Sequence, residues 1–468
     1  MSKDIRQFLE VVRKAGPDYY VDIKKPLKPY LEVCIIQQKL AKESRFPVIY
    51  CPEIEGSELP LVTDLFGSYE MFALALDMDP QKIDKAEILK EFRRREADTK
   101  PVQMIAASEA PIREVILKGE DVDLSLLPII HHHELNSGKY VTIGCMICKD
   151  PDTGIPNVGV YRHEVKGKDK LGCQINPANH GAYIARRHAE LGKPMEVIIC
   201  IGHHPAMVLA ACCRGSLDMN ELEVMGGLLG EPVEVVLGET VDIPVPAYAE
   251  IAIEGVTDPN KWVADGPFSE YTGYYGSGST SCYLIQVTGI TMRRDAIYHD
   301  LDPGHREHGM STVLPSESVV YEAVRRVVPT VKAVHFPPSG NCVNHIYVSI
   351  KKRVSGEAKL AALAALSAEN MAKMVVVVDE DIDVYNEHEV LWAIATRTVG
   401  DKDISIIPGV SSTTHDPCAY DETRLGKGNM SSYIIIDATK PVGLPFLTRI
   451  TPNQELWNTM NLRDYLKQ

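Results

Sequence analysis

Apolar residues near the start of the chain recur at helical spacing and then give way to short extended runs. The first predicted helix has its apolar face at Ile5, Phe8, Leu9 and Val12. Ser2 is its expected cap and Gly16 its expected end. Further strands are predicted over 19–23 and 47–51, and further helices over 31–41 and 80–95. This alternation predicts a small N-terminal α/β domain over residues 1–111.

From residue 112 the pattern changes to short apolar and β-branched runs that Gly, Pro and Asp separate. Strands are predicted near 112 and over 140–143, 157–161, 196–201, 233–237, 250–254 and 281–287. Helices are predicted over 180–191 and 220–229. Many short strands with few helices are typical of a β-barrel or sandwich. The pattern therefore predicts a β-rich central domain over 112–310.

After about residue 315 helices and strands alternate again. Helices are predicted over 316–328, 357–374 and 387–397, and strands over 375–379 and 403–407. The strands are continuously apolar, which is typical of a parallel sheet covered on both faces. A C-terminal α/β domain is expected over 311–468. Its tail, 455–466, is weakly helical and is expected to dock on a partner subunit.

Composition excludes some classes of function. The 468 residues carry a net charge of −15, which argues against a nucleic-acid partner because such a partner needs a basic surface. The start of the chain lacks the apolar core of a signal peptide, and no apolar run reaches the ~18 residues of a membrane span. Eleven cysteines, an odd number, do not suggest a disulfide scaffold. A reducing cytoplasm is therefore the expected location.

One loop places two carboxylates five residues apart, Asp265 and Glu270, on either side of a Gly-Pro turn. Such a turn can bring both acids to one side of a cleft. Two neighbouring carboxylates repel each other, so the pKa of one tends to rise until it carries a proton at neutral pH. The alternative is a surface loop with two solvated acids.

A second group of polar residues suits phosphate and metal binding. The predicted strand over 157–161 carries Asn157 and Tyr161 on one face and leads into Arg162, a residue that clamps carboxylates and phosphates. The segment 174–180 then leads into a helix whose free N–H groups can hold a phosphate. Asn157, His180 and Glu221 offer the oxygen and nitrogen ligands that Mn²⁺ or Mg²⁺ accepts.

Other conspicuous residues favour ordinary structural roles. Adjacent residues of extended chain point to opposite faces, so the three histidines 131–133 cannot easily share one ion. Loop packing is expected for them and for the pair His203-His204. Cys145 and Cys148 have no second pair at zinc spacing and are expected to be reduced core residues. No G-x-G-x-x-G or P-loop motif is present in the sequence.

The chain resembles the UbiD family of prenylated-FMN-dependent decarboxylases. Four stretches carry the resemblance in the family's order: Asn157-Val-Gly-Val-Tyr-Arg162, Asn179-His180-Gly-Ala, Asn220-Glu-Leu-Glu-Val-Met-Gly-Gly-Leu-Leu-Gly-Glu231 and Asp265-Gly-Pro-Phe-Ser-Glu-Tyr-Thr-Gly-Tyr-Tyr275. The resemblance implies an α/β multidomain fold with an N-terminal α/β region and a central split β-barrel that binds the flavin. A C-terminal α/β domain with a parallel sheet and an oligomerising helical tail completes it.

The resemblance also implies the cofactors and their ligands. Asn157, His180 and Glu221 are the expected ligands of a manganese ion, or of magnesium, against the phosphate of prenylated FMN, with potassium a further possible ion. The expected cofactor contacts are Asn157, Val160, Tyr161, Arg162, Gln174, Ile175, Asn176, Asn179, His180 and Glu221. A flavin prenyltransferase is the expected supplier of the cofactor, and a homodimer or homohexamer is the expected assembly.

The family's catalytic network falls on Arg162, Asp265 and Glu270. The first acid is often Glu in the family, whereas this chain has Asp265. The side chain of Asp is one methylene shorter than that of Glu, so its reach to Arg162 is expected to differ. The implied activity is reversible, non-oxidative decarboxylation of an aromatic or heteroaromatic carboxylic acid. A second polar group of the substrate is expected to meet residues beyond this network: Tyr274, Tyr275, His299, His305, Arg306 and His308.

Three other functions are to be weighed against the sequence. Within the family, the chain could be a polyprenyl-hydroxybenzoate decarboxylase of quinone biosynthesis, although no extra apolar segment suggests a tunnel for the prenyl chain. An FMN-dependent oxidoreductase on a split barrel would need a site for a hydride donor, and no nicotinamide motif is visible. A non-catalytic subunit of a larger complex is disfavoured because Arg162, Asp265 and Glu270 are all present.

Overall fold

The structure of the protein is a computed structural model that describes residues 3–276, 278–369, 371–413, 415–420 and 430–466. The helices are α1 (Ile5–Ala15), α2 (Glu32–Lys42), α3 (Tyr69–Ala75), α4 (Lys85–Glu96), α5 (His180–Glu190), α6 (Ala206–Ala211), α7 (Glu221–Leu229), α8 (Arg306–Met310), α9 (Val313–Val327), α10 (Glu357–Ala368), α11 (Glu387–Arg397), α12 (Gly400–Asp403) and α13 (Gln454–Thr459). Among the described residues, no helix is both long and apolar enough to cross a membrane.

The strands form five sheets. They are β1 (Tyr20–Asp22), β2 (Val48–Cys51), β3 (Leu61–Thr63), β4 (Gln103–Met104), β5 (Val115–Lys118), β6 (Tyr140–Val141), β7 (Cys145–Lys149), β8 (Pro156–Val160), β9 (His163–Gly167), β10 (Lys170–Cys173), β11 (Met195–Ile201), β12 (Glu234–Leu237), β13 (Pro244–Pro246), β14 (Ile251–Asp265), β15 (Phe268–Ser269), β16 (Tyr275–Gly276), β17 (Ser279–Met292), β18 (Tyr298–His299), β19 (Val331–His335), β20 (His345–Ile350), β21 (Met374–Asp379), β22 (Ile404–Ser411) and β23 (Met430–Ala438).

The N-terminal sheet has the order β1-β2-β3-β18. Helix α1 buries the apolar face that its spacing predicts: Ile5, Phe8, Leu9 and Val12. Its cap is Asp4, whose side chain accepts a hydrogen bond from the backbone N–H of Gln7. Ser2, the predicted cap, lies outside the described residues. Asp4 suits the cap position because a carboxylate accepts hydrogen bonds well from the free N–H groups of the first helical turn.

The central sheet has nine strands in the order β6-β9-β10-β17-β14-β11-β7-β8, with β5 paired to β17. Its longest strands, β14 and β17, pair antiparallel along most of their length. Strand β14 ends at Asp265, and the hairpin of β15 and β16 continues directly from it. At one end of the strand order, β8 leads straight into Arg162. This sheet therefore positions Arg162 through β8 and the two acids through β14 and the hairpin that follows it.

The C-terminal sheet has the order β19-β20-β21-β23-β22. Its inner strands β20, β21 and β23 are parallel, while the edge strands β19 and β22 run antiparallel to their neighbours. The sheet is therefore mixed, with the predicted parallel pairing confined to its centre. Helices α9 and α10 contribute to one hydrophobic cluster and α11 to another, so the sheet is covered on both faces. The predicted domain boundaries after residues 111 and 310 stay predictions.

Candidate active site

Arg162 lies between two buried carboxylates. Its Nε and Nη2 donate to Oδ2 of Asp265 over 3.1 and 2.6 Å, and its Nη1 donates to Oε1 of Glu270 over 2.7 Å. The shorter side chain of Asp265 therefore does reach the guanidinium. Phe268 lies under this guanidinium, with 4.6 Å from Cζ to the ring centroid. Both predicted acids and the predicted arginine are thus in direct contact in this structure.

The electrostatics of this network favour a proton on Glu270. Burial raises the pKa of Glu270, and the nearby charge of Asp265 adds to the rise, although Arg162 opposes it. Burial alone would lower the pKa of Arg162, but Glu270 and Asp265 raise it overall. One guanidinium facing two acids leaves one negative charge in excess. A proton on Glu270 removes that excess.

Two histidines lie near Glu270: His308, which the sequence predicts to meet the substrate, and His415, which no sequence motif marks. Nε2 of His415 lies 3.6 Å from Oε1 of Glu270, and burial lowers the pKa of His415 to about 4. Nδ1 of His308 lies 2.7 Å from the carbonyl oxygen of Pro303, so this nitrogen donates and Nε2 is left as an acceptor. The ring of Tyr271 meets both histidines edge-on at 5.9 and 6.4 Å. Neutral imidazoles and a phenol therefore surround the acid.

A second cluster joins Asn157 to Glu221, the first residue of α7. The Asn157 amide donates to Oε1 of Glu221 over 2.8 Å, and the backbone N–H of Val158 donates to Oε2 over 2.9 Å. Burial raises the pKa of Glu221 to about 7. Across the described chain no Lys or Arg side chain forms an ion pair with this carboxylate. A bound cation would supply the missing positive charge.

The start of α5 approaches the same cluster. Asn179 caps the helix and His180 is its first residue. A Cβ on the next residue, Gly181, would lie 2.7 Å from the hydroxyl of Tyr161, so this helix end contacts the segment after β8. Tyr161 also lies close to both Asn179 and Glu221. The structure therefore brings Asn157, Tyr161, Asn179 and Glu221 together and places His180 beside them, at the helix terminus.

The predicted cofactor contacts fit a polar ligand. Oε1 of Gln174 and Oδ1 of Asp265 are buried, and neither has a hydrogen-bond partner in the described part of the chain. Val160, half-buried, and Ile175, buried, supply apolar surface, while Asn176 and Asn179 are exposed. The segment from Asn157 to Arg162 joins the Glu221 cluster to the Arg162 network over roughly 16 Å of extended chain. An elongated ligand with a phosphate at one end suits this arrangement.

The remaining predicted residues separate into different environments. His132 is buried against Asp300, His133 contacts Asp302, and His131 is half-buried. His203, His204, Cys145 and Cys148 are buried, and all eleven cysteines are free. Tyr274 and Tyr275 are exposed, His305 pairs with Asp64, and His299 is buried with its pKa lowered to about 3 by burial.

Comparison with known sequences identifies the class of protein. Residues 103–306 match the 3-octaprenyl-4-hydroxybenzoate carboxy-lyase Rift-related domain. Residues 310–438 match the C-terminal domain of the same enzyme and residues 14–90 its N-terminal domain. The chain belongs to the UbiD family of carboxy-lyases, as its four motifs predicted.

Individual relatives cover nearly the whole chain. Anhydromevalonate phosphate decarboxylase of Methanothermobacter thermautotrophicus is 33% identical over 86% of this chain and 90% of its own length. Phenolic acid decarboxylase of Sedimentibacter hydroxybenzoicus is 29% identical over 94% of this chain and 92% of its own. The UbiD-class enzyme HmfF from Pelotomaculum thermopropionicum, solved in complex with FMN, is 34% identical and superposes with a TM-score of 0.90 over 99% of this chain and all of that one.

A second structure of that enzyme is an evolved dimeric form in complex with prFMN, with 33% identity and a TM-score of 0.87 over 99% of this chain and 100% of that one. These likenesses confirm the predicted α/β multidomain fold class and the prediction of a UbiD-type carboxy-lyase.

Proposed function

We propose that this protein decarboxylates an aromatic or heteroaromatic carboxylic acid, reversibly, with prenylated FMN as its cofactor. The observation that carries the proposal is the contact of Arg162 with two buried acids, one of which has a raised pKa. The flavin complexes of the related enzyme HmfF support the choice of cofactor. Neither a hydride-donor motif nor a prenyl tunnel is suggested by the sequence, which disfavours the oxidoreductase and quinone-pathway alternatives.

In this proposal Asn157, His180 and Glu221 would hold a manganese or magnesium ion together with the cofactor phosphate, and potassium would be a further ion. To bind the ion, the Asn157 amide turns its oxygen toward the metal in place of the NH₂ group that donates to Glu221. Gln174, Ile175 and Asn176 line the same path with Val160 and Tyr161. Bound there, the prenylated flavin supplies the electron sink that loss of CO₂ requires and that no side chain provides.

The chain's own residues position the substrate and move the proton. Arg162 holds the substrate carboxylate, because a guanidinium binds carboxylates through two parallel donors. Asp265 fixes the plane of Arg162 through its two contacts at 3.1 and 2.6 Å. Glu270 donates its proton to the carbon that loses CO₂, and takes one from that carbon in the carboxylation direction.

Two measurements test the proposal on full-length protein produced together with a flavin prenyltransferase. The mass of the released cofactor is expected to be that of prenylated FMN. Labelled bicarbonate is then expected to exchange into the carboxylate of accepted acids. Plain FMN with hydride turnover would instead establish an oxidoreductase, and exchange without any flavin would contradict the role of the cofactor.

Replacing Glu221 with glutamine is expected to remove most of the bound divalent ion and flavin. The substitution keeps the shape of the side chain but removes the charge that attracts the cation. Mutating a residue that only supports a metal ligand already lowers metal affinity at least ~10-fold, so we expect at least this loss when the ligand itself is changed. Metal analysis and flavin absorbance of the purified protein measure both. Glu223→Gln is the matched control, two residues along the same helix. Equal loss in both variants would point to damage to α7 rather than to loss of a ligand.

The substrate is proposed to carry a second anionic group, which Arg306 recognises. Within the described residues Arg306 forms no ion pair, and its buried Nε has no hydrogen-bond partner. The guanidinium lies over Phe46 at 4.3 Å, and burial lowers its pKa. A half-buried guanidinium without an ion-pair partner has donors left for an anion, so an anionic substrate group is a fitting partner.

Arg306→Gln is expected to raise KM for diacids by roughly 10–100-fold, since a hydrogen bond to a charged group contributes about 1.5–3 kcal/mol. KM for monoacids should change little. A panel of aromatic and heteroaromatic monoacids and diacids measures this, with Arg326→Gln as an exposed control. An unsaturated aliphatic acid phosphate belongs in the panel, because two relatives are named anhydromevalonate phosphate decarboxylase. An unchanged preference for diacids would contradict the role of Arg306.

The C-terminal tail is proposed to pack against a second copy of the chain. Its apolar side chains are largely exposed, Leu447 by 91%, Ile450 by 98% and Trp457 by 68%. Exposure of that extent is typical of an interface surface. A chain ending at Lys440 is therefore expected to have a lower mass in light scattering than the full-length dimer or hexamer. A full-length monomer would contradict this proposal.

A further inference from the structure

We propose that Cys34, His133 and Asp302 form a second metal site, one for a borderline-soft divalent ion such as Zn²⁺. None of the three belongs to the proposed flavin or decarboxylation residues. They come from three distant parts of the chain: helix α2, the histidine run after residue 130, and the loop before α8. One ligand atom from each lies within 4.8 Å of the other two.

The spacing of the three ligand atoms suits a small ion after a modest contraction. A tetrahedral zinc ion with bonds of about 2.0–2.3 Å holds its ligands roughly 3.3–3.8 Å apart. Nε2 of His133 and Oδ1 of Asp302 are hydrogen-bonded over 2.6 Å. An ion between them requires this pair to open by about 1 Å. His133 is half-buried, which leaves an entry route from solvent.

An unpartnered carboxylate oxygen points independently to a missing ligand. Asp302 is fully buried, and Oδ1 accepts hydrogen bonds from His133 and from the backbone N–H of Gly304. Its Oδ2 is also buried and has no partner among the residues that the structure describes. A buried carboxylate oxygen without a donor is uncommon in folded proteins. A bound cation would satisfy it.

The surrounding charge also favours a cation. Asp64, Asp300 and Asp302 are all buried close to Cys34, so three carboxylates surround the proposed site. In the described part of the chain these carboxylates have histidines as their ion-pair partners, and Lys and Arg side chains pair elsewhere. Sulfur, imidazole and carboxylate together are the ligands that zinc prefers, whereas Mg²⁺ and Ca²⁺ select oxygen.

Binding is a simple exchange of protons for the ion. The Cys34 thiol loses its proton to solvent when sulfur bonds to the metal. His133 binds the ion through Nε2, and the proton of Nε2 moves to Nδ1. Asp302 binds as a carboxylate. One proton is released per ion, and a water completes the fourth position.

Cobalt provides a spectroscopic test on full-length protein that carries no histidine tag and has been dialysed against a mild chelator. One equivalent of Co²⁺ is expected to produce a near-ultraviolet thiolate-to-cobalt charge-transfer band, which Zn²⁺ then abolishes. Cobalt held by Asn157, His180 and Glu221 has no sulfur ligand and cannot give this band. The outcome is therefore independent of the proposed flavin site.

Variants locate the sulfur. Cys34→Ser is expected to abolish the band, whereas Cys148→Ser should keep it. Cys148 is the matched control because it is buried and lies opposite Asn157 in the β7–β8 pairing. Asp302→Asn is expected to weaken cobalt binding at least 10-fold. A band that survives Cys34→Ser, or depends on Cys148, would overturn the proposal. X-ray absorption of the zinc-loaded wild-type protein tests the same point without a variant. A zinc coordination shell without sulfur would also overturn the proposal.

Discussion

Replacing Glu270 with glutamine is expected to lower kcat for decarboxylation by ~10²–10⁴-fold, the usual contribution of a general acid. Glutamine keeps the hydrogen-bonding shape next to Arg162 but cannot deliver a proton. Flavin content and substrate KM should stay close to those of the wild type, because Glu270 contacts Arg162 and His415 rather than the Glu221 cluster. Single-turnover assays of the cofactor-loaded enzyme separate the chemical step from binding.

The pH dependence gives a second measure of the same role. Burial and Asp265 raise the pKa of Glu270, and only the protonated acid can donate. The rate of decarboxylation should therefore fall as pH rises through that pKa, and the falling limb should be missing from the glutamine variant. Glu223→Gln serves as the control and should keep both the wild-type rate of decarboxylation and its fall at high pH. Near-wild-type turnover by Glu270→Gln would contradict the role of Glu270 as the general acid.

Periodic and continuously apolar segments explain how much of the fold could be predicted. Helix α11 lies over 387–397 as its spacing predicts, α1 ends before Gly16 as predicted, α5 ends one residue earlier than predicted and α7 begins one residue later. Four short helices, α3, α6, α8 and α12, are not predicted by the sequence, and the first two of them share one property. Nearly all of their residues are buried, so no polar face marks a helical period. Buried surroundings rather than local pattern determine these segments.

The candidate site was predictable only where motif and contact coincide. Asn157 and Glu221 meet, and so do Arg162, Asp265 and Glu270, and sequence motifs predict both groups. His415 had no such signal, because 145 positions separate it from Glu270 and no neighbouring motif marks it. The expectation that adjacent histidines diverge was useful, since His132 and His133 contact different acids. It could not reveal Cys34, a hundred residues away in the sequence.

The two clusters depend on one short segment, since Asn157 begins it and Arg162 ends it. Strand β8 is held by its pairing with β7 over residues 156–160, and five residues of extended chain leave little freedom in the separation of its ends. A ligand held at the Glu221 end therefore meets the guanidinium at a set distance. This rigidity is what an active site needs, because small misplacements of reacting groups cost large factors in rate.

Arg162→Gln is expected to destabilise the protein as well as inactivate it. Asp265 and Glu270 are both buried, and the substitution leaves them facing each other without a cation. Removing one partner from a buried ion pair typically lowers the free energy of unfolding by about 3–5 kcal/mol. Urea denaturation at pH 8 measures this loss. Decarboxylation should fall by at least ~10²-fold, because the substrate carboxylate loses its clamp.

The pH dependence of that destabilisation separates a charge effect from a packing effect. Without Arg162 the pKa of Glu270 rises further above its unfolded value, so the folded state binds more protons than the unfolded state. The loss of stability should therefore shrink as pH falls from 8 towards 5, as linkage requires. Arg162→Lys should recover most of the stability, because it restores a cation, but little of the activity, because an ammonium cannot bridge two acids and a carboxylate in one plane. A loss of stability that is the same at both pH values would indicate packing against Phe268 instead.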